Sequence, residues 1–154
     1  METPRPGTEH EKLQVMVGQW TGEELIHPSP MDPVGGAANA RVNNRLALSG
    51  FIVVQDYEQE RAGVVNFRGH AVISYDAARK THVMDWWDSF GMGRAAFEGG
   101  FEGSKLVLTA RSPMGVSRAT YDFPGDDQYS FVLEVSIDGK TWAPFLEGKY
   151  TRLV

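Results

Sequence analysis

From Val17 onward the chain alternates apolar and polar residues, and turn-forming residues interrupt it roughly every ten positions. The breaks are S-G at 49–50, D-A-A-R at 76–79, E-G-S at 102–104, P-G-D-D at 124–127 and D-G at 138–139. That rhythm predicts about ten strands joined mostly as hairpins, a meander rather than a series of β-α-β units. Helical spacing occurs once. Thr8 and Glu11 form a T-x-x-E capping box, and Leu13, Met16 and Val17 follow on one face, predicting a helix over 9–16. A meander with one apolar face and a single short helix has nothing to cover that face. Closure into an up-and-down antiparallel β-barrel is the economical solution. The expected fold is all-β, a barrel of about ten strands with a short N-terminal helix, as one domain over 1–154. The segment H-P-S-P-M-D-P-V-G-G, residues 27–36, cannot sit inside a sheet and is expected to be a loop.

The last hairpin reads residue by residue. A two-residue type I′ turn at Asp138-Gly139 sets Ile137 opposite Lys140, Val135 opposite Trp142 and Phe131 opposite Leu146. On this register Tyr150 and Arg152 face the interior with Trp142. An interior Arg at the end of a barrel needs a partner, and Trp20 in V-G-Q-W-T-G-E-E supplies an indole face. Gly18 and Gly22, on the same face, leave room for the ring. Trp20 and Arg152 are expected to form a structural plug.

A short helix, a G-x-W on the first strand and an Arg on the last resemble the calycin superfamily of lipocalins and fatty-acid-binding proteins. More closely, the chain resembles a bacterial family known as domain of unknown function number 1579. The matching pieces are H-E-K-L-Q-V-M-V-G-Q-W-T-G-E-E, L-S-G-F-I-V-V-Q-D-Y-E-Q-E, F-R-G-H-A-V-I-S-Y-D, W-W-D-S-F-G and F-L-E-G-K-Y-T-R. They occur in order over residues 10 to 152. The resemblance implies a calycin-like barrel and almost no chemistry.

The hairpin over 66–89 holds the most suggestive side chains. With Tyr75 opposite Thr81, Arg68 opposes Asp88, His70 opposes Trp86, Val72 opposes Met84 and Ser74 opposes His82. The other face sets Gly69 under Trp87. If the first face lies inside, it is an apolar pocket with a few placed polar groups, as a ligand site requires. If it faces solvent, Arg68–Asp88 is a surface pair of small effect. On the third strand Phe51, Val53, Gln55 and Tyr57 share a face. The expected ligand contacts are therefore Gln55, Tyr57, Arg68, His70, His82, Trp86 and Asp88.

A net charge of −5 with scattered basic residues argues against nucleic acid and against an anionic membrane surface as partners. The absence of cysteine removes disulfides, thiolate catalysis and Cys-ligated zinc. No apolar run is long enough for a transmembrane helix, and M-E-T-P-R-P-G lacks the core of a secretory signal, so a cytoplasmic protein is expected. The histidines His10, His27, His70 and His82 have no HxH or HExxH spacing. His70 and His82 with Asp88 are the one grouping to weigh for a metal, and none is expected. Nitrobindin-type haem proteins share the G-x-W opening but use a late axial His, and no His follows His82. No cofactor is expected. No Ser sits in G-x-S-x-G, and G-M-G-R at 91–94 reads as a hairpin turn rather than a phosphate loop. The reading is binding of a small hydrophobic or amphipathic ligand without chemistry. Alternatives are an isomerase, lyase or hydrolase using His70 or His82 with Asp88 or Tyr57, and an interaction module with a filled barrel. A homodimer is left open.

Overall fold

The computed structural model describes residues 2–154; Met1, the first residue of the N-terminal stretch considered above, lies outside them. Ten antiparallel strands form a closed barrel: β1 (Gly18–Ile26), β2 (Gly36–Ala47), β3 (Ile52–Arg61), β4 (Val64–Asp76), β5 (Thr81–Asp88), β6 (Ala95–Glu102), β7 (Lys105–Ser112), β8 (Gly115–Asp122), β9 (Gln128–Ser136) and β10 (Ala143–Arg152). Each strand pairs with its neighbours in sequence, and β1 closes the cylinder on β10 with Trp20 opposite Arg152. Closure leaves no unpaired strand edge, which is why a meander with one helix suffices. No helix among the described residues is long and apolar enough to cross a membrane.

The N-terminal helix is shorter than its pattern predicts. α1 (Thr8–Glu11) passes at once into a 3-10 turn, Lys12–Met16. Gly7 rather than Thr8 is the N-cap, and its amide donates to His10 Nδ1 at 3.2 Å. The tighter winding drops Leu13 and Met16, each 1% exposed, into the barrel end. Trp20 lies beneath them, fully buried, and donates its indole N–H to the Met16 carbonyl at 3.0 Å. Asn44 donates to the same carbonyl at 2.9 Å. The Arg152 guanidinium stacks over the Trp20 ring at 4.2 Å, and Tyr129 meets the ring edge-on at 4.8 Å.

The glycines around Trp20 make room for its neighbours rather than for the indole. A Cβ on Gly18 would lie 2.2 Å from the Arg152 guanidinium, and φ there is +137°. A Cβ on Gly22 would lie 2.2 Å from the Tyr150 ring. Either substitution displaces an interior side chain.

Two registers differ from the sequence reading. In the β4–β5 hairpin Asp76 pairs with Thr81 and Tyr75 with His82, so every opposition moves by one residue. The turn holds four residues, Ala77 to Lys80, closed by the Arg79 amide on Asp76 at 3.1 Å with Lys80 at φ +53°. A slip of one reverses the faces of one strand against the other. Ala71 and Ile73 are fully buried on β4, and Arg68 and His70 consequently point outward. The aromatic over Gly69 is accordingly Trp86 rather than Trp87, its ring 2.1 Å from where a Cβ would stand.

The β9–β10 hairpin likewise pairs Ala143 with Val135, then shifts again between Pro144 and Leu146. Its turn is a wider loop in which only Gly139, at φ +76°, is left-handed, so it is not type I′. Asp138 organises it, accepting the Lys140 and Thr141 amides at 2.8 Å each. Those amides, Thr141 first, together with the Ser136 hydroxyl hold the Asp138 carboxyl down at about 2. Trp142 therefore lies on the outer face, under the Arg118 guanidinium at 4.0 Å, and not inside with Tyr150. Asp138→Ala should speed hydrogen exchange at Lys140 and Thr141 while leaving global stability nearly unchanged. Unchanged exchange at both amides would show that the loop holds without the carboxylate.

Candidate functional site

The plug fills one end of the barrel; toward the other end the interior opens into a cavity of about 400 Å³. That is within the range of roughly 300–1,000 Å³ common for small-molecule sites. Its walls are aromatic, with Phe67 stacked on Trp86 at 6.5 Å and Tyr121 packed on Phe131 at 4.7 Å. At the mouth Met31 and Phe90 are 66% and 61% exposed, which marks this end as the entrance.

Beside the cavity sits a buried carboxylate that the sequence reading missed. Glu24, on the inner face of β1, is 4% exposed. It accepts the Tyr57 hydroxyl at 2.7 and 2.8 Å, the Gln59 amide at 2.9 Å, and the Tyr150 hydroxyl. All three partners donate, as a carboxylate held in a dry interior requires. Gln59 in turn accepts from Asn66 at 3.0 Å. Burial first, and then the negative charge of Glu24, raise the Tyr57 and Tyr150 hydroxyls above the ordinary tyrosine range. Burial does the same for Tyr121 and Tyr129. The signal was present: the alternation that places Trp20 and Ile26 inside also places Glu24 there, and an acid on an apolar face demands donors.

Three polar side chains on the cavity wall are less well served. Gln55, 4% exposed, makes no side-chain hydrogen bond among the described residues, and neither does the Tyr129 hydroxyl. Tyr121 reaches only the Met84 sulfur at 3.8 Å. At the mouth, Arg61 pairs with Asp32 at 2.5 Å and donates to the Gly35 carbonyl at 2.5 Å, pinning the 27–35 loop to β3; Gly36, expected in that loop, instead opens β2 opposite Ile26. The Gly35 amide, and then Arg61, hold the Asp32 carboxyl below its usual range. Asp88 accepts the Trp86 indole N–H at 2.8 Å and the Phe90 amide at 3.0 Å.

Of the residues expected to meet a ligand, Gln55, Tyr57, Trp86 and Asp88 line this cavity. Arg68 and His70 do not. They lie on the outer surface, Arg68 beside Glu58 at 3.4 Å and His70 against Asp56 at 2.8 Å. His82 faces inward but at the plug end, 2% exposed, its ring nitrogen 3.0 Å from the Glu9 carbonyl and its ring against Tyr75. The one-residue register change explains Arg68 and His70, because it carries the β4 residues out and keeps His82, Trp86 and Asp88 in; His82 misses the cavity because it stands at the start of β5, next to the N-terminal helix. The cavity lining includes no histidine, so the acid–base pairs built on His70 or His82 do not form there. Among the described residues no three His, Asp or Glu side chains converge to hold a metal ion.

A family model described as protein of unknown function (DUF1579) matches residues 5–152. No curated protein matches. Among solved structures, Rv2717c from M. tuberculosis is similar with a TM-score of 0.75 at 13% identity, covering 96% of this chain and 99% of that one. The S-type phycobiliprotein lyase CPES from Guillardia theta is similar with a TM-score of 0.64 at 10% identity, covering 97% of this chain and 99% of that one. At these identities the likeness is one of fold.

Proposed function

The chain belongs to the DUF1579 family of proteins of unknown function, and we propose that it binds a small, largely apolar molecule in the barrel cavity. The observation that carries this reading is the aromatic-walled space of about 400 Å³, open at the end away from the plug. A barrel evolved only as a packed module fills such a space, because unfilled apolar volume costs stability. The pinned loop over 27–35 lies at the entrance through Met31 and Asp32, where it acts as a rim that a ligand must pass. The phycobiliprotein lyase shares the frame with this chain, and its name brings no reaction here.

The neutral fluorophore N-phenyl-1-naphthylamine tests the reading. Its emission should rise saturably on addition of protein, with quenching of the cavity tryptophan. Trp86→Phe should remove most of the tryptophan quenching, since Trp20 is buried within the plug and does not line the cavity, and Trp87 and Trp142 lie outside. Absence of saturable binding, or equal quenching in Trp86→Phe, counts against the cavity as the site.

A further inference from the structure

We infer that the cavity selects an uncharged ligand whose polar end, a hydroxyl or a carbonyl, is buried at Gln55, with its apolar body toward the mouth. This rests on the binding reading above and adds the ligand's chemical class and orientation. The Gln55 side chain is 4% exposed and has no hydrogen-bond partner among the described residues, and its amide atoms open onto the cavity, so whatever fills the cavity must serve them. The carboxamide offers one acceptor and two donors. A hydroxyl or carbonyl oxygen satisfies it; a hydrocarbon does not. The unpaired Tyr129 hydroxyl and the weakly engaged Tyr121 hydroxyl add to the same demand.

The charges around the cavity exclude an anionic head. Arg61 is the one cationic side chain among the lining residues, and Asp32 and the Gly35 carbonyl already occupy it. The nearest buried charge is Glu24, which is negative and has its oxygens taken by Tyr57, Tyr150 and Gln59. A carboxylate driven to this depth loses its water, meets no cation and faces a like charge. Fatty acids therefore bind poorly, whereas the alcohol of the same chain length binds well.

The test is displacement of N-phenyl-1-naphthylamine from the full-length protein at neutral pH by decanol, decanoate and decane. Decanol should compete about ten-fold or more better than decanoate, and several-fold better than decane, in line with the cost of an unpaired buried charge and the gain of a paired hydroxyl. Gln55→Leu, close in volume, should bring decanol down to the level of decane while decane itself is unchanged or improved. Decanoate equal to decanol overturns the inference. So does a decanol-to-decane ratio that Gln55→Leu leaves intact, because the carboxamide then serves water and not the ligand. If the naphthylamine binds and none of the three displaces it, the inference fails while the cavity reading stands. If the naphthylamine itself does not bind, the cavity reading fails and this inference falls with it.

Discussion

Trp20→Ala should cost about 3–5 kcal/mol, the range for deleting a large aromatic from a packed core. Trp20 is fully buried, its N–H is paired to Met16, and both the 3-10 turn and Tyr129 rest on its ring. Deletion leaves a void and an unpaired Met16 carbonyl lone pair in the same place. Against a total of about 5–15 kcal/mol for a domain, that approaches unfolding. Arg152→Ala should also destabilise, because the guanidinium donates to the Asp126 carbonyl at 2.8 Å and to the Val17 carbonyl, tying the turn before β1 to the closing strand. The two losses overlap. Once the indole is gone the guanidinium has lost its stacking surface, so the double mutant should fall short of the sum by about 0.5–2 kcal/mol. Denaturant titration of both single variants and the double variant measures this coupling, and strict additivity rules out the stacked pair as an energetic unit.

Alkali should unfold this protein steeply. Four of its five tyrosines, Tyr57, Tyr121, Tyr129 and Tyr150, have hydroxyls raised above the ordinary range, chiefly by burial, with the charge of Glu24 adding for three of them. A raised folded-state pKa contributes stability that is fully present below the unfolded value, near 10, and lost as pH climbs above it. Above that point the unfolded chain sheds protons that the native barrel keeps. Each tyrosine then contributes a slope of about 1.4 kcal/mol per pH unit, so four together remove about 5–6 kcal/mol per unit. Unfolding should be complete about one to three units above pH 10 for a domain of ordinary stability. Ultraviolet absorbance of tyrosinate should rise cooperatively with loss of the β-sheet signal. Gradual ionisation of these tyrosines while the barrel remains folded would contradict their burial.

The same tyrosines show where sequence reading stops. Alternation, turn spacing and the lack of a second helix require a closed barrel, since only closure covers one apolar face without leaving an edge. The G-x-W and the terminal Arg were legible as a pair because both lie on the face that alternation assigns to the interior. Four of the seven residues expected around a ligand, Gln55, Tyr57, Trp86 and Asp88, line the cavity for the same reason. Register was a different matter. The choice between pairing Tyr75 or Asp76 with Thr81 turns on how four or five turn residues share one left-handed position, and Lys80 rather than a glycine took it. That register decides whether Arg68 and His70 face the cavity or the outer surface. Glu24, Tyr57, Gln59 and Tyr150 come from three strands, β1, β3 and β10, so their convergence is a property of how the cylinder closes. A strand's own pattern says which face a residue takes. What stands across the barrel from it depends on curvature and stagger, which only the tertiary structure fixes.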